Sequence, residues 1–435
     1  MLLLFTALAL QLPAPTHAPS ALRTNRHRPN IVFILADDLG VDMVGAYGKS
    51  ASAPCTANID ALAAEGLLFQ RAWSNPLCSP TRAQILTGRH GFRTGIGTVV
   101  GPYTKGLQVS ETTIPERLAG YDTTYVGKWH LSGALGDLHP NESGFGHFAG
   151  FVHGAVQSYF NWGKVVDGVG AVCFTYATVE ITNEAIAAID RMQEPWFLYV
   201  AYNAPHSPFQ IPPAHLCPGT GCVCTSIPSF RNFPKKARAA TEAMDEEIGR
   251  LLAALDARDP EAYVIFTADN GTSPDVCEPP YLPSHAKGTV YEGGVNVPLV
   301  VRGPNVVHGE CHALVSLVDV FATVLELGRA PRMLPGDEPN DSVSMVPYFT
   351  DPTRALRATV YAEFFTPNGR APHAVHRRAV RDVRYKLIRA NGAPDELYDL
   401  ALDPFETNNR LPSAMAEELA AYDALALELE ALGVD

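Results

Sequence analysis

Cys78-Ser79-Pro80-Thr81-Arg82, continued at once by Ala83-Gln84-Ile85-Leu86-Thr87-Gly88-Arg89, reads as the start of a helix. Pro80 suits the first turn, where a backbone N–H has no partner to lose, and Ala83 to Leu86 extend it. Cys78 then stands at a helix N-terminus, where free N–H groups and the positive end of the dipole favour an anion or a polar nucleophile. Arg82, one turn on, faces the same side. Taken alone, such a cysteine is equally a structural residue in a turn, so the rest of the chain has to decide.

Outward from this stretch, apolar runs bounded by polar residues predict buried strands whose ends carry chemistry. The run Asn30 to Ala36 ends in Asp37-Asp38, two adjacent carboxylates that repel each other and are costly to desolvate without a cation. A solvated helix-capping pair is the competing reading. Leu67 to Trp73 leads into the Cys78 turn, after an amphipathic helix over Ala57 to Gly66. Asp122 to His130 is predicted as one strand, and in an extended segment Lys128 and His130 project from the same face. Trp196 to Tyr202 runs into Pro205-His206, and Ala262 to Ala268 delivers Asp269-Asn270-Gly271. The glycine-rich stretch Lys287 to Gly294 precedes a strand over Val297 to Arg302, and a helix is predicted from Leu314 to Leu327. Helices over Ile114 to Ala119, Ala177 to Met192 and Lys235 to Ala257 alternate with these strands. The fold class is therefore α/β, a largely parallel sheet covered by helices.

Past Gly328 the texture changes. A proline- and acid-rich linker (Pro331 to Pro339) leads to short strands at Ala358 to Phe364, His376 to Val380 and Tyr385 to Arg389, then a helix from Ser413 to Leu432. These predict a small antiparallel sheet with one helix. The expected division is residues 1–18 as a secretory signal, 29–328 as the catalytic domain and 340–435 as the C-terminal subdomain. Arg377, Arg378, Arg381, Arg384 and Lys386 form a local basic strip, read as solvent-facing residues on edge strands or, alternatively, as a cleft border for a polyanionic sugar.

Composition sets the limits. The 435 residues, 46% hydrophobic and 18% charged, describe a globular chain with a large core. A formal net charge of −13 excludes the basic footprint of a nucleic-acid binder. The apolar run Leu2 to Leu10 is about half the roughly 20 residues of a spanning helix and is read as a secretory signal. Eight cysteines fit an oxidising compartment. Cys217, Cys222 and Cys224 read as a disulfide-pinned loop rather than a zinc site, since they lack a paired C-x-x-C. Asn141 and Asn340 head glycan acceptor sequences.

Cysteine-x-proline-x-arginine followed by leucine-threonine-glycine-arginine is similar to the signature of the sulfatases. The resemblance extends from Asn30 to about Asn408 through Asp37-Asp38, Gly127-Lys128-Trp129-His130, Pro205-His206, Asp269-Asn270-Gly271, Lys287 to Gly294 and Glu396 to Leu400. It implies the alkaline-phosphatase-like α/β fold with a small C-terminal subdomain, and the wording near Arg93-Thr94-Gly95 resembles arylsulfatases of the N-acetylgalactosamine-4-sulfatase kind. It further implies that Cys78 is oxidised to Cα-formylglycine by the formylglycine-generating enzyme. A divalent metal, calcium by the family norm and magnesium as the alternative, would be held by Asp37, Asp38, Asp269, Asn270 and the residue derived from Cys78. Arg82 would hold that residue in place, Lys128 and Lys287 would neutralise sulfate oxygens, His130 would orient or deprotonate a hydroxyl, and His206 would assist the leaving oxygen. The implied activity is sulfate-ester hydrolysis on an aryl or carbohydrate substrate, in the secretory pathway, secreted or lysosomal. Two alternatives stay open: a formylglycine-dependent phosphodiesterase or phosphonate monoester hydrolase, and a secreted pseudoenzyme binding sulfated glycans. The pocket walls are expected from Gly97 to Gln108, Leu131 to Val156 and residues 205–234.

Overall fold

The computed structural model describes residues 28–216, 232–334 and 337–433. The expected signal segment and the Cys217, Cys222, Cys224 cluster lie outside these residues. Among the described residues Cys55, Cys78, Cys173, Cys277 and Cys311 carry free thiols, and no helix is long and apolar enough to cross a membrane.

Eleven strands make the main sheet: β1 (Ile31–Asp37), β2 (Leu67–Trp73), β3 (Asp122–Lys128), β4 (His147–Phe151), β5 (Trp162–Val166), β6 (Val169–Cys173), β7 (Trp196–Pro205), β8 (Tyr263–Ala268), β9 (Asn296–Arg302), β10 (Gly309–Cys311) and β11 (Val315–Ser316). Their order is β10-β2-β9-β8-β1-β7-β3-β4-β5-β6, with β11 beside β2. The centre, β8-β1-β7-β3-β4, is parallel, whereas β9 runs antiparallel to β8 and β2, and β4-β5-β6 are antiparallel neighbours. Parallel strands covered on both faces need apolar side chains on both, which is why β1 is buried from end to end and its sequence is a continuous apolar run. Helices Ala177–Arg191 and Phe233–Arg258 pack on each other and on β7, and the Cys78–Thr87 helix packs against Asp319–Leu327.

One close approach fixes the geometry near the C-terminal strand ends. Gly127, one residue before Lys128, has φ +102, and a Cβ there would stand 1.9 Å from the Ala201 carbonyl oxygen on β7. Gly127→Ala therefore combines a left-handed strain with a backbone clash and should lower unfolding free energy by more than ~1 kcal/mol. Thermal unfolding beside wild type checks this, and an unchanged midpoint would refute it.

The second sheet, β12 (Val360–Thr366), β13 (Val375–Arg381), β14 (Tyr385–Ala390) and β15 (Glu396–Asp399), is antiparallel in sequential order. Alternation sorts its side chains. Tyr361, Val380, Tyr385, Leu387 and Leu397 join Leu425 and Leu429 of the Ala416–Ala431 helix, whereas Val360, Ala362, Ala379, Ile388 and Tyr398 pack with Trp73, Val290, Val295 and Leu314 of the main body.

Several expectations are corrected. The predicted helix Leu314 to Leu327 is the short strand β11 followed by a helix that begins only at Asp319. The strand predicted to reach His130 stops at Lys128, and His130 has φ +61, so strand alternation does not relate the two side chains. The basic strip does not lie on edge strands, since β13 and β14 are the inner strands; Arg377 faces solvent as expected, but Arg381 and Lys386 are buried against Glu292, with Lys386 also paired to Glu406 at 2.7 Å.

Candidate active site

Four neighbouring parallel strands end on one rim of the sheet, the position where open α/β folds gather ligands. β1 delivers Asp37 and Asp38, β8 is followed by Asp269 and Asn270, β7 by His206, and β3 ends in Lys128 with His130 two residues on. Cys78 comes from the facing helix, whose residues Cys78–Thr87 are all buried. Lys287 arrives on the loop held against Gly271 by two backbone bonds, Lys287 N–H to Thr272 O at 3.0 Å and Gly271 N–H to Gly294 O at 2.9 Å. With Arg82 on the same helix as Cys78, all ten residues singled out in the sequence come together.

The thiol is the hub. Cys78 Sγ lies 3.3 Å from Asp37 Oδ1 and 4.0 Å from Asp38 Oδ1, with Lys287 Nζ at 3.5 Å. Lys128 Nζ donates to Asp37 Oδ2 at 2.5 Å, and Lys287 Nζ also pairs with Asp38. Arg82 grips Asp269 Oδ2 with Nε at 2.9 Å and Nη2 at 2.7 Å, and its Nη1 donates to the Lys128 carbonyl at 2.6 Å. Nη1 also reaches Tyr125 Oη at 3.5 Å, and Nη2 stands 4.0 Å from Asp37 Oδ1. Asp38 takes φ +66, a strained conformation for a non-glycine residue, and its N–H donates to Asp269 Oδ1 at 3.3 Å. His206 Nε2 stands 3.9 Å from Asp38 Oδ2.

Charge and burial set the protonation states. Burial opposes ionisation of Asp37, but Lys128, His206, Arg82 and Lys287 outweigh it and hold its carboxyl far below the usual range. Burial and the Asp37 charge push Asp269 up to about 6 despite Arg82. Burial, then Asp269 and Asp37, raise the Cys78 thiol, so as a plain cysteine it is a poor source of thiolate at neutral pH. Burial, with Lys128 and Arg82, keeps His130 neutral, and burial also lowers His206.

The donor set fits a hard cation. Ligand atoms of Asp37, Asp38, Cys78 and His206 lie within 4.8 Å of one another. Asn270 is fully buried, its Nδ2 donates to Asp38 Oδ1 at 2.8 Å and to the Gly271 carbonyl, and its Oδ1 has no hydrogen-bond partner. A buried amide oxygen left over beside crowded carboxylates is what ligation of a hard cation such as calcium or magnesium would satisfy.

Sequence reasoning passed over Ser79. Its Oγ donates to the His130 carbonyl at 3.0 Å and accepts the Val100 N–H at 2.9 Å, tying the helix start to the segment that turns His130 inward. Its place beside Cys78 was the only available signal. Gly154 matters equally, since a Cβ there would fall 2.5 Å from His130 Nε2.

The family model described as sulfatase matches residues 29–330. The chain belongs to the sulfatase family. A second model, N-sulphoglucosamine sulphohydrolase C-terminal, matches residues 284–432. Among curated sulfatases, mouse arylsulfatase J is 30% identical over 72% of this chain, and human N-acetylgalactosamine-6-sulfatase 33% identical over 73%. The matched region spans 54% and 65% of their respective lengths. Human arylsulfatase A is 31% identical over 92% of this chain and 87% of its own. The crystal structure of Ps i-CgsB in complex with k-i-k-neocarrahexaose superposes with a TM-score of 0.79 at 26% identity, covering 93% of this chain and 92% of that one. This sulfatase therefore shares the fold along nearly its whole described length, and its family assignment rests on sequence as well as shape.

Proposed function

We propose that this sulfatase hydrolyses sulfate esters, with residue 78 acting as formylglycine beside a calcium ion. The observation that carries the reading is the placement of Cys78 Sγ between Asp37 at 3.3 Å and Lys287 at 3.5 Å, at the meeting of four strand ends. Arylsulfatases and an N-acetylgalactosamine-6-sulfatase among the relatives point to an aryl or carbohydrate ester. An N-acetylgalactosamine-4-sulfatase specificity is the narrower form of the same proposal.

Asp37, Asp38, Asp269 and Asn270 would hold the ion, which supplies a positive field that acidifies a hydroxyl on residue 78 and draws in sulfate oxygens. The remaining work falls to the chain's own side chains. Lys128 and Lys287 meet charge on the sulfate, a contribution largest when that charge peaks in the transition state. Arg82 fixes Asp269 and the end of β3 in one fork. His130, neutral and buried, would orient or deprotonate a hydroxyl on residue 78, and His206, at the more open edge, would assist the departing oxygen.

The test is sulfate release from 4-nitrophenyl sulfate by protein co-expressed with formylglycine-generating enzyme, set against an aryl phosphodiester. Preference for the phosphodiester, or no release by fully converted protein, would overturn the reading. Removing divalent ions with chelator should abolish activity and lower the unfolding temperature by several degrees, because an ion bound only by the native state stabilises it by mass action. Calcium should restore both more fully than magnesium. A melting temperature indifferent to both ions would exclude the assigned ligand set.

A further inference from the structure

We propose that Tyr103 and Lys105, on the loop of residues 98–105, form a platform for a second ring of the substrate, making this a site for sulfated carbohydrates of two or more rings. This rests on the sulfate-ester reading and extends it from the bond cleaved to the molecule bound.

Tyr103 is 95% exposed, the most exposed large apolar side chain among the described residues. A tyrosine ring presents apolar faces to water and gains when a flat, partly apolar surface such as a sugar face covers it. Isolated exposed aromatics are ordinary; the placement of this one is not. The loop is tied at one end to the residue next to Cys78, through Val100 N–H to Ser79 Oγ at 2.9 Å. At the other it is tied to the residues just after His130, through the Lys105 and Gly133 bridge, Ala134 N–H to Thr104 O at 3.1 Å and Leu107 N–H to Leu131 O at 3.0 Å. Three peptide units separate Val100 from Tyr103, so their Cα atoms are at most roughly 11 Å apart. That places the ring within reach of a sugar adjoining the one that carries the scissile sulfate.

The loop is also braced. Asn368, from the turn between β12 and β13, accepts the N–H groups of Gly97 and Thr98 through Oδ1 at 2.9 Å each, and its Nδ2 donates to the Thr98 and Val99 carbonyls at 3.3 and 3.4 Å. One side chain thus satisfies four backbone groups, holding the platform's root before any ligand arrives, and preorganisation of that kind lowers the cost of binding. Lys105 is exposed and has no ion pair among the described residues, a cation available to a further sulfate on an otherwise acidic protein.

The experiment pairs binding with turnover. Sulfated tetrasaccharides of chondroitin and carrageenan are titrated into Cys78→Ala protein by calorimetry, with Tyr103→Ala or Tyr103→Phe added. In parallel, KM for 4-nitrophenyl sulfate is measured in the matured Cys78 enzyme with each Tyr103 change. Tyr103→Ala should weaken the best-bound tetrasaccharide about fivefold, Tyr103→Phe should restore binding, and KM for the single-ring ester should not move. Equal affinity of every tetrasaccharide for the tyrosine and alanine forms, binding of none, or a matching loss on 4-nitrophenyl sulfate would overturn the platform. Sulfate release by the unaltered enzyme in those cases leaves the esterase reading standing, whereas its absence removes that reading alone if Tyr103 still governs glycan binding.

Discussion

Cys78→Ala should reduce sulfate-ester turnover on the order of 10⁴-fold or more while leaving the fold and calcium binding in place. The thiol is buried among Asp37, Asp38 and Lys287, and alanine opens no strained geometry there. Cys78→Ser is the more informative change. A serine oxygen at this position can be drawn into one attack on sulfur, but its ester lacks the second hydroxyl through which hydrated formylglycine expels sulfate. The expected record is a single burst of at most one alcohol released per protein, with the sulfate retained on the serine, followed by a stall. Mass spectrometry of the tryptic peptide that contains residue 78 should find the sulfated serine. Steady multiple turnover by the serine form at the wild-type rate would reject the aldehyde chemistry, and an intact thiol in fully active wild-type protein would do the same.

Lys386→Met is expected to have the largest effect on stability, about 3–5 kcal/mol, measured by denaturant titration. Lys386 is wholly buried, 2.7 Å from Glu406 and 3.3 Å from Glu292, with its ammonium 4.6 Å from the centre of the Trp73 ring. Removing it strands two carboxylates in the interior. Burial and the Glu292 charge already push Glu406 up to about 7, whereas Glu292 is held down, against its burial, by Lys386 and Arg381. The damage should travel to activity, because Glu292 begins the turn that seats Gly294 on Gly271 and so sets the loop of Lys287. A loss under 1 kcal/mol would show that Arg381 and Trp73 suffice, and Lys386→Arg should recover part of the stability by keeping the charge.

The central strands and the carboxylate, lysine and histidine positions were legible in the sequence for one reason. Parallel strands buried on both faces need unbroken apolar runs, and in this fold the polar residues just beyond each run are the ones gathered at the rim. What escaped has equally physical causes. β5 and β6 form a projecting hairpin, and Val169 to Val172 is exposed throughout, so no burial period marks it. The continuous apolar stretch before Leu327 suits helix or strand alike, and its first part became β11. The basic strip misled because its partners are remote in the chain, Glu292 lying 94 residues from Lys386 and 89 from Arg381. His130 was assigned to the rim correctly but for a faulty reason, since a left-handed backbone rather than strand alternation aims it.

That separation of 94 residues carries a consequence for biosynthesis. Every side chain assigned to the rim is translated before Lys386, so the nascent polypeptide holds a complete inventory of reactive groups while Glu292, at the end of the Lys287 loop, still lacks the Lys386 ammonium. Final closure waits for the last quarter of the message. Until then Glu292 lacks its buried ammonium partner, and a premature stop codon ahead of Lys386 would leave every rim residue encoded but that partner missing.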